Sequence, residues 1–267
     1  MSDFYKRILS GLVYVFVFLF AILFSKQSYI ALLTFFSLVS LWEFSRILKV
    51  NNILPYMTLI ALSTIAFIGI GKYLPNKATL LLTLFTVFNS ILLLIDLFAK
   101  EFKSRSNLLK LFLQIRYIVL PFFFLIILPF VKGIYFPNII IYTILIIWTN
   151  DTFAYLVGKN FGKTKLFERI SPKKTIEGFI GGLFFAIILG AVLGYYSKHF
   201  SMLNWIIIAI IIAVFGTLGD LIESKFKRQA GVKDSGTIMP GHGGLLDRLD
   251  SLFFLAPFVY LYIHFLM

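Results

Sequence analysis

Between Ser224 and Asp250 the chain reads SKFKRQAGVKDSGTIMPGHGGLLDRLD, a run dense in charge and glycine set between two long apolar segments. Carboxylates (Asp234, Asp247 and Asp250, with Asp220 and Glu223 just upstream) alternate there with cations (Lys225, Lys227, Arg228, Lys233 and Arg248) around Gly241, His242, Gly243 and Gly244. This mixture suits metal-assisted chemistry on a phosphate group. Carboxylate oxygens hold a hard divalent cation, while lysines, arginines and backbone amides hold the phosphates.

Spacing sharpens the reading. If the segment before this run stays helical beyond its apolar part, Asp220, Glu223, Ser224 and Lys227 share one face, and Asp247, Asp250 and Ser251 share a face at the start of the next helix. A glycine-rich hinge brings these two carboxylate-bearing ends together. The pattern predicts a cation between Asp220 and Asp247 with Glu223 or Asp250 beside it, and oxygen ligands favour Mg²⁺ or Mn²⁺ over zinc. For any single pair, an interfacial salt bridge such as Asp247 with Lys227 is an equal alternative. His242 either contacts phosphate or closes a turn.

A second stretch, Trp148 to Gly182, adds candidates. Asn150 and Asp151 fall inside an apolar run, where an ionisable side chain is costly and faces the protein interior or a wet cavity, so Asp151 joins the candidate metal ligands. Gly158, Gly162, Lys163 and Thr164 are one residue short of a nucleotide-binding P-loop and follow an apolar helix instead of a strand, which excludes that motif. Pro172 closes a turn, Thr175 is a suitable N-cap, and Lys173 and Lys174 beside free helix amides can hold an anionic headgroup or a nucleotide phosphate. A basic loop with no catalytic part is nearly as good an account of the two lysines.

The elements that must position these residues are set by composition. The 267 residues are 60% hydrophobic and only 14% charged, with a mean hydropathy of +0.93, whereas soluble domains carry about a quarter charged residues. The chain is therefore expected to be an all-α, polytopic membrane protein. The 32 Phe and 13 Tyr suit lipid-facing and interfacial positions, and without Cys there is no disulfide or thiolate chemistry. Runs long enough to cross a bilayer suggest about nine spans, near residues 8–24, 29–44, 53–70, 78–98, 111–131, 138–157, 178–196, 203–222 and 245–266, the second being the shortest. The first follows Lys6 and Arg7 but has no small-x-small cleavage site, so it reads as a retained helix.

With the N-terminus in the cytoplasm, Lys6, Arg7, Arg46, Lys49, Lys100, Lys103, Arg105 and Lys110 fall inside, with only Lys26, Lys72, Lys77, Lys132 and Lys198 outside. All 12 acids lie on the cytoplasmic side. The expected arrangement is a multi-pass cell-membrane protein with a cytoplasmic active site and an outside C-terminus. The net charge of +13 then follows from topology and contact with the lipid bilayer, and nucleic-acid binding is excluded as its cause. Residues 1–137 read as a transmembrane scaffold, and residues 138–267 as a catalytic region with cytoplasmic loops 158–177 and 223–246. Gly178, Gly182, Ala186, Gly190 and Gly194 recur every fourth residue, a ladder of small side chains that favours helix packing within the chain over a homodimer seam.

The run containing Ser224, Lys225, Lys227, Arg228, Lys233, Asp234, Ser235, Gly236, Pro240, His242, Gly243, Gly244, Asp247, Arg248 and Asp250 resembles the signature of the bacterial-type phosphatidate cytidylyltransferases, or CDP-diacylglycerol synthases. The Asp151-Thr-Phe-Ala-Tyr and Ser171-Pro-Lys-Lys-Thr-Ile-Glu-Gly segments resemble a second block of that family. The resemblance spans roughly residues 148–251. It implies transfer of a cytidylyl group from CTP to phosphatidate, giving CDP-diacylglycerol and pyrophosphate in phospholipid biosynthesis, with Mg²⁺ and room for a second metal ion. Asp220, Asp247, Lys227 and Arg248 would be catalytic. Lys173, Lys174, Ser224, Lys225, Arg228, Lys233, His242, Gly243 and Gly244 would bind substrate, and Asp220, Asp247, Asp250, Glu223 and Asp151 would hold metal. A CTP-dependent lipid kinase or other CDP-lipid enzyme is the nearest alternative, and a cation transporter using Asp96, Asp151 and Asp220 is a more distant one.

Overall fold

The computed structural model describes residues 3–69, 76–99, 106–197, 199–239 and 241–267, with side chains from residue 9 onward. Ile70, Lys72, Lys100, Glu101, Lys103, Arg105, Lys198 and Pro240, used in the charge and motif readings, lie outside these ranges, as do the side chains of Asp3, Lys6 and Arg7. The described residues form nine helical rods: α1 (Asp3–Phe24), α2 (Lys26–Leu48), α3 (Leu54–Gly69), α4 (Lys77–Phe98), α5 (Asn107–Ile127), α6 (Pro137–Phe161), α7 (Ile176–Tyr196), α8 (Met202–Gln229) and α9 (Leu246–Leu266). Each expected span falls on one rod. Seven are long and apolar enough to cross a membrane, while α3 and the apolar part of α1 are shorter.

Helix ends follow local chemistry. The second span is longer than its apolar run, at 23 residues, because Ser25 caps the helix well before Tyr29 by accepting from the Ser28 amide, and the Ser28 hydroxyl returns the favour to the Ser25 amide. Lys49 ends α2 in the left-handed conformation. In α5 the turn Ile115–Val119 is widened just ahead of Pro121, whose missing N–H leaves the preceding turn short of a donor. α8 continues through the charged residues to Gln229, as the spacing argument requires.

The centre of the bundle is α5 and α9. Residues 117–127 of α5 and 252–260 of α9 are almost entirely buried, and Phe253 packs against Tyr117 (5.3 Å between ring centroids) and Phe122 (4.9 Å). α7 lies at the periphery, with Ile180, Phe184, Ile188 and Val192 exposed on its outer side. Its buried residues are Gly178, Gly182, Ala186, Gly190 and Gly194, the small-residue ladder. Those residues pack within the chain. A Cβ on Gly182 would lie 2.6 Å from the Asn150 carbonyl of α6, and one on Gly190 would lie 2.7 Å from Ala209 Cβ of α8.

Two short hairpins complete the fold. β1 (Phe130–Val131) pairs antiparallel with β2 (Ile134–Tyr135) at one end, turning through Lys132 and Gly133 at positive φ. The stretch expected as a plain loop at 158–177 instead continues α6 to Phe161. It then pairs β3 (Lys165–Phe167) with β4 (Ser171–Thr175) before entering α7. Thr175 caps α7 as expected, accepting from the Gly178 amide at 3.1 Å. Glu177 fixes the other side of the hairpin by accepting from the amides of Lys163 (3.0 Å) and Thr164 (3.1 Å).

Candidate active site

Helices that alternate in direction bring their polar ends to one end of the bundle. The start of α1, the ends of α2, α4, α6 and α8, and the starts of α7 and α9 meet there, cross-linked by Ser10–His242, Glu43–Leu246, Lys225–Asp96 and Lys174–Asp220. Between them lies a cavity of about 560 Å³ whose lining mixes charged and apolar side chains. Asp151, Asp220, Glu223, Lys227, Asp234, His242, Asp247, Arg248 and Asp250 are its polar lining residues. Tyr14, Val15 and Phe18 of α1 with Ile144, Ile147 and Trp148 of α6 are among its apolar and aromatic ones.

Three carboxylates converge. Asp220 and Glu223 on α8 and Asp250 on α9 each present an oxygen within 4.8 Å of the others. Gly219 permits the approach, since a Cβ there would lie 2.7 Å from Phe254 Cβ and 3.0 Å from the Asp250 carbonyl. Glu223 is only 1% exposed; Oε2 accepts from Lys227, but Oε1 has no hydrogen-bond partner among the described residues. An undonated buried carboxylate oxygen costs about 1–3 kcal/mol or more, and a hard cation held with Asp220 and Asp250 would relieve it. The donor set therefore fits Mg²⁺.

Asp247, expected as a metal ligand with Asp220, lies outside the converging trio among the described residues. Its Oδ1 accepts from Lys227 Nζ at 2.6 Å, and its Oδ2 accepts from the amides of Gly244 (2.7 Å) and Ser235 (2.9 Å) and lies 3.0 Å from the Ser235 hydroxyl. It thus clamps the glycine loop to α8 through Lys227, which bridges Glu223 and Asp247. Gly243, at φ +85, leaves room for that carboxylate: a Cβ there would lie 2.7 Å from Asp247 Oδ2.

The remaining sequence candidates divide. Lys174, on β4, donates to Asp220 Oδ2 at 2.6 Å, and Ser224 donates to Asp220 Oδ1 at 3.2 Å. Burial alone would lower the Lys174 pKa, but the charge and hydrogen bond of Asp220 outweigh it and hold the ammonium above its ordinary value. His242 lines the cavity with Nδ1 2.9 Å from Ser10 Oγ. Asp151 and Arg248 open into the cavity. Lys225 does not: it is 2% exposed and turned toward the end of α4, donating to the Asp96 carbonyl with the Asp96 carboxylate 3.5 Å away. Lys173 is exposed on the hairpin, and Arg228 donates to the Val232 carbonyl at 3.0 Å. Lys233 lines a separate groove with Arg46 and Lys49.

Sequence reasoning missed Ser10, Tyr14 and Glu43 as parts of the site, and gave Ser235 no role beyond its place in the signature run. For Glu43 a signal existed, a single acid amid an apolar run (Leu41-Trp42-Glu43-Phe44), of the same kind that drew attention to Asp151.

Fold and site together define a multi-pass, all-α membrane protein carrying a cleft lined by carboxylates, cations and apolar side chains at one end of its bundle. The chain belongs to the Cytidylyltransferase family, whose model matches residues 5–266. It is 35% identical to the phosphatidate cytidylyltransferase of Bacillus subtilis (strain 168), over 97% of both chains. It is 56% identical over 120 residues to that of Staphylococcus aureus (strain COL) and 52% identical over 120 residues to that of Staphylococcus haemolyticus (strain JCSC1435). Each of those two alignments covers 44% of this chain and 46% of the staphylococcal protein, so it spans less than half of either.

Proposed function

We propose that the protein is a phosphatidate cytidylyltransferase, joining CTP and phosphatidate to give CDP-diacylglycerol and pyrophosphate. The observation that carries this is the mixed lining of the cavity. One substrate is a soluble polyanion and the other a phosphate on an acyl-chain anchor, and a cleft lined by carboxylates, cations and apolar side chains together has the chemistry to accommodate both. Family membership and the names of the relatives support the same reading.

In the reaction a phosphatidate oxygen attacks the α-phosphorus of CTP, forming the new P–O bond as the bond to the β-phosphate oxygen breaks and pyrophosphate leaves. The attacking oxygen is already ionised, so the site must supply charge and alignment more than a base. Asp220, Glu223 and Asp250, with Asp151 facing the same cavity, are the residues that would hold Mg²⁺, which when bound neutralises triphosphate charge. Lys227 and Arg248 face the cavity as cations for the phosphates, and Asp247, which lines the same cavity, holds Lys227 in place. Lys174 reaches Asp220 from the hairpin and can be shared with an arriving phosphate. Tyr14, Val15, Phe18, Ile147 and Trp148 would meet the acyl chains.

The end bearing the site faces the cytoplasm in this account, supported by Arg46, Lys49 and Lys110 at that end of α2 and α5. Gathering of acids at a single end, from Glu43 and Asp96 to Asp250, disfavours a cation pathway through the bundle. The test is transfer of label from the α- or γ-phosphate of CTP into chloroform-soluble lipid. Cytidylyl transfer carries the α label and leaves the γ label in pyrophosphate; a lipid kinase would do the reverse and refute the assignment.

A further inference from the structure

Glu43 belongs to α2, in the half of the chain that reads as scaffold, yet its carboxylate ends among the catalytic-loop residues some two hundred positions later. It is fully buried, at 0% exposure. Oε1 accepts from the Leu245 amide at 3.1 Å; Oε2 accepts from the Leu246 amide at 2.8 Å and lies 3.1 Å from the Ser235 hydroxyl. Leu246 is the first residue of α9 and Leu245 the residue just before it, and the helix lacks a side-chain cap of its own. Glu43 therefore supplies from another helix the cap that the local sequence omits, and it places a negative charge at the positive end of the α9 dipole.

The loop is built around this carboxylate. A Cβ on Gly244 would collide with Glu43 Oε1 at 2.6 Å and with the Ser235 hydroxyl, and one on Gly236 would also strike Glu43. The Ser235 hydroxyl sits between Glu43 Oε2 (3.1 Å) and Asp247 Oδ2 (3.0 Å), and its single proton serves one at a time. Asp247 in turn grips Lys227.

We propose that Glu43 is a positioning residue for the transferase site, fixing the loop-to-α9 junction so that Asp247, and through it Lys227, is held in register with α8. This rests on the reading of the cleft as the cytidylyl-transfer site, but the placement of the loop can be tested apart from it. Glu43 is not among the cavity-lining residues; among the described residues its hydrogen bonds go to Leu245, Leu246 and Ser235.

The experiment compares the full-length protein with Glu43→Gln, which keeps the shape but turns an amide N–H₂ toward one of the two backbone donors. Hydrogen exchange is read on peptides covering 241–250 and on peptides covering α7. Exchange in 241–250 should rise about tenfold with α7 unchanged. The kcat should fall about 10- to 100-fold, the range expected for misplacement of reacting groups by up to about 1 Å, with KM for CTP within about threefold of the parent. Ser235→Ala combined with Glu43→Gln should lose less than the product of the two single effects, because both break one brace. Unchanged exchange in 241–250, or a rise spread equally over α7, would overturn the proposal, the latter by making Glu43 a general support of the fold. Should Glu43→Gln not purify folded, Ser235→Ala alone must raise exchange at 241–250, and its failure to do so is equally decisive. Since exchange needs no turnover, a positive result there beside an inactive parent would refute the transferase reading and leave the brace standing.

Discussion

Replacing Asp247 by Asn removes one charge and leaves the shape. The native carboxylate takes Lys227 on Oδ1 and three donors from Gly244 and Ser235 around Oδ2. An Asn can present its carbonyl oxygen to only one of these groups. Facing the loop, it turns its N–H₂ toward the Lys227 ammonium, donor against donor, and forfeits a charge-assisted bond worth about 1.5–3 kcal/mol. Lys227 is not stranded, because Glu223 still accepts from it, so the larger penalty of an isolated buried charge does not arise. Stability should fall by about 2 kcal/mol, or roughly 4–8 °C in Tm for a chain of this size. Lys227 then moves toward Glu223 and away from the phosphates. Loss of one positioned electrostatic group typically costs about 10²–10³ in kcat. Turnover of the purified variant, measured with its thermal transition, should show that loss in a folded protein. A folded Asp247→Asn variant within a few-fold of the parent rate would refute the clamp argument.

Three further outcomes follow from the packing. Glu223→Gln, which replaces the undonated buried oxygen or its partner by an N–H₂ group, should weaken Mn²⁺ binding followed by electron paramagnetic resonance by about tenfold or more; unchanged affinity would exclude Glu223 from the ion site. Lys225→Met should lower stability by about 1–3 kcal/mol by removing the buried donor to the partly exposed Asp96, while leaving KM for CTP within about twofold; a KM effect with no change in Tm would restore Lys225 to substrate contact. Gly190→Leu should destabilise by about 1–3 kcal/mol or more by forcing α7 away from Trp205 and Ala209, read as a lower Tm in detergent; tolerance of the leucine would mean that the α7–α8 contact is looser than described.

Much of this was legible in sequence because the physics is local or periodic. Apolar run length marked nine rods, the four-residue repeat of Gly178 to Gly194 marked the inner face of α7, and Thr175 announced its own helix start. The spacing of Asp220, Glu223, Ser224 and Lys227 depended only on α8 remaining helical, which it does. What escaped was direction and distance. Lys225 sits one residue from Ser224 and shares its neighbourhood in sequence, but on a helix that step turns the side chain about 100° away, toward α4. Asp247 and Asp250 are equivalent by composition, and only the course of the loop gives the first to Lys227 and the second to the carboxylate cluster. Glu43 is joined to its partners by a fold of the whole chain, which no local pattern encodes.

The most direct test of the central claim is pyrophosphate release by the purified protein in detergent with CTP, phosphatidate and Mg²⁺, each omitted in turn. The account predicts pyrophosphate in a one-to-one ratio with a CDP-linked lipid, and only when all three are present. Pyrophosphate formed without phosphatidate, or CDP released beside a newly phosphorylated lipid, would contradict it.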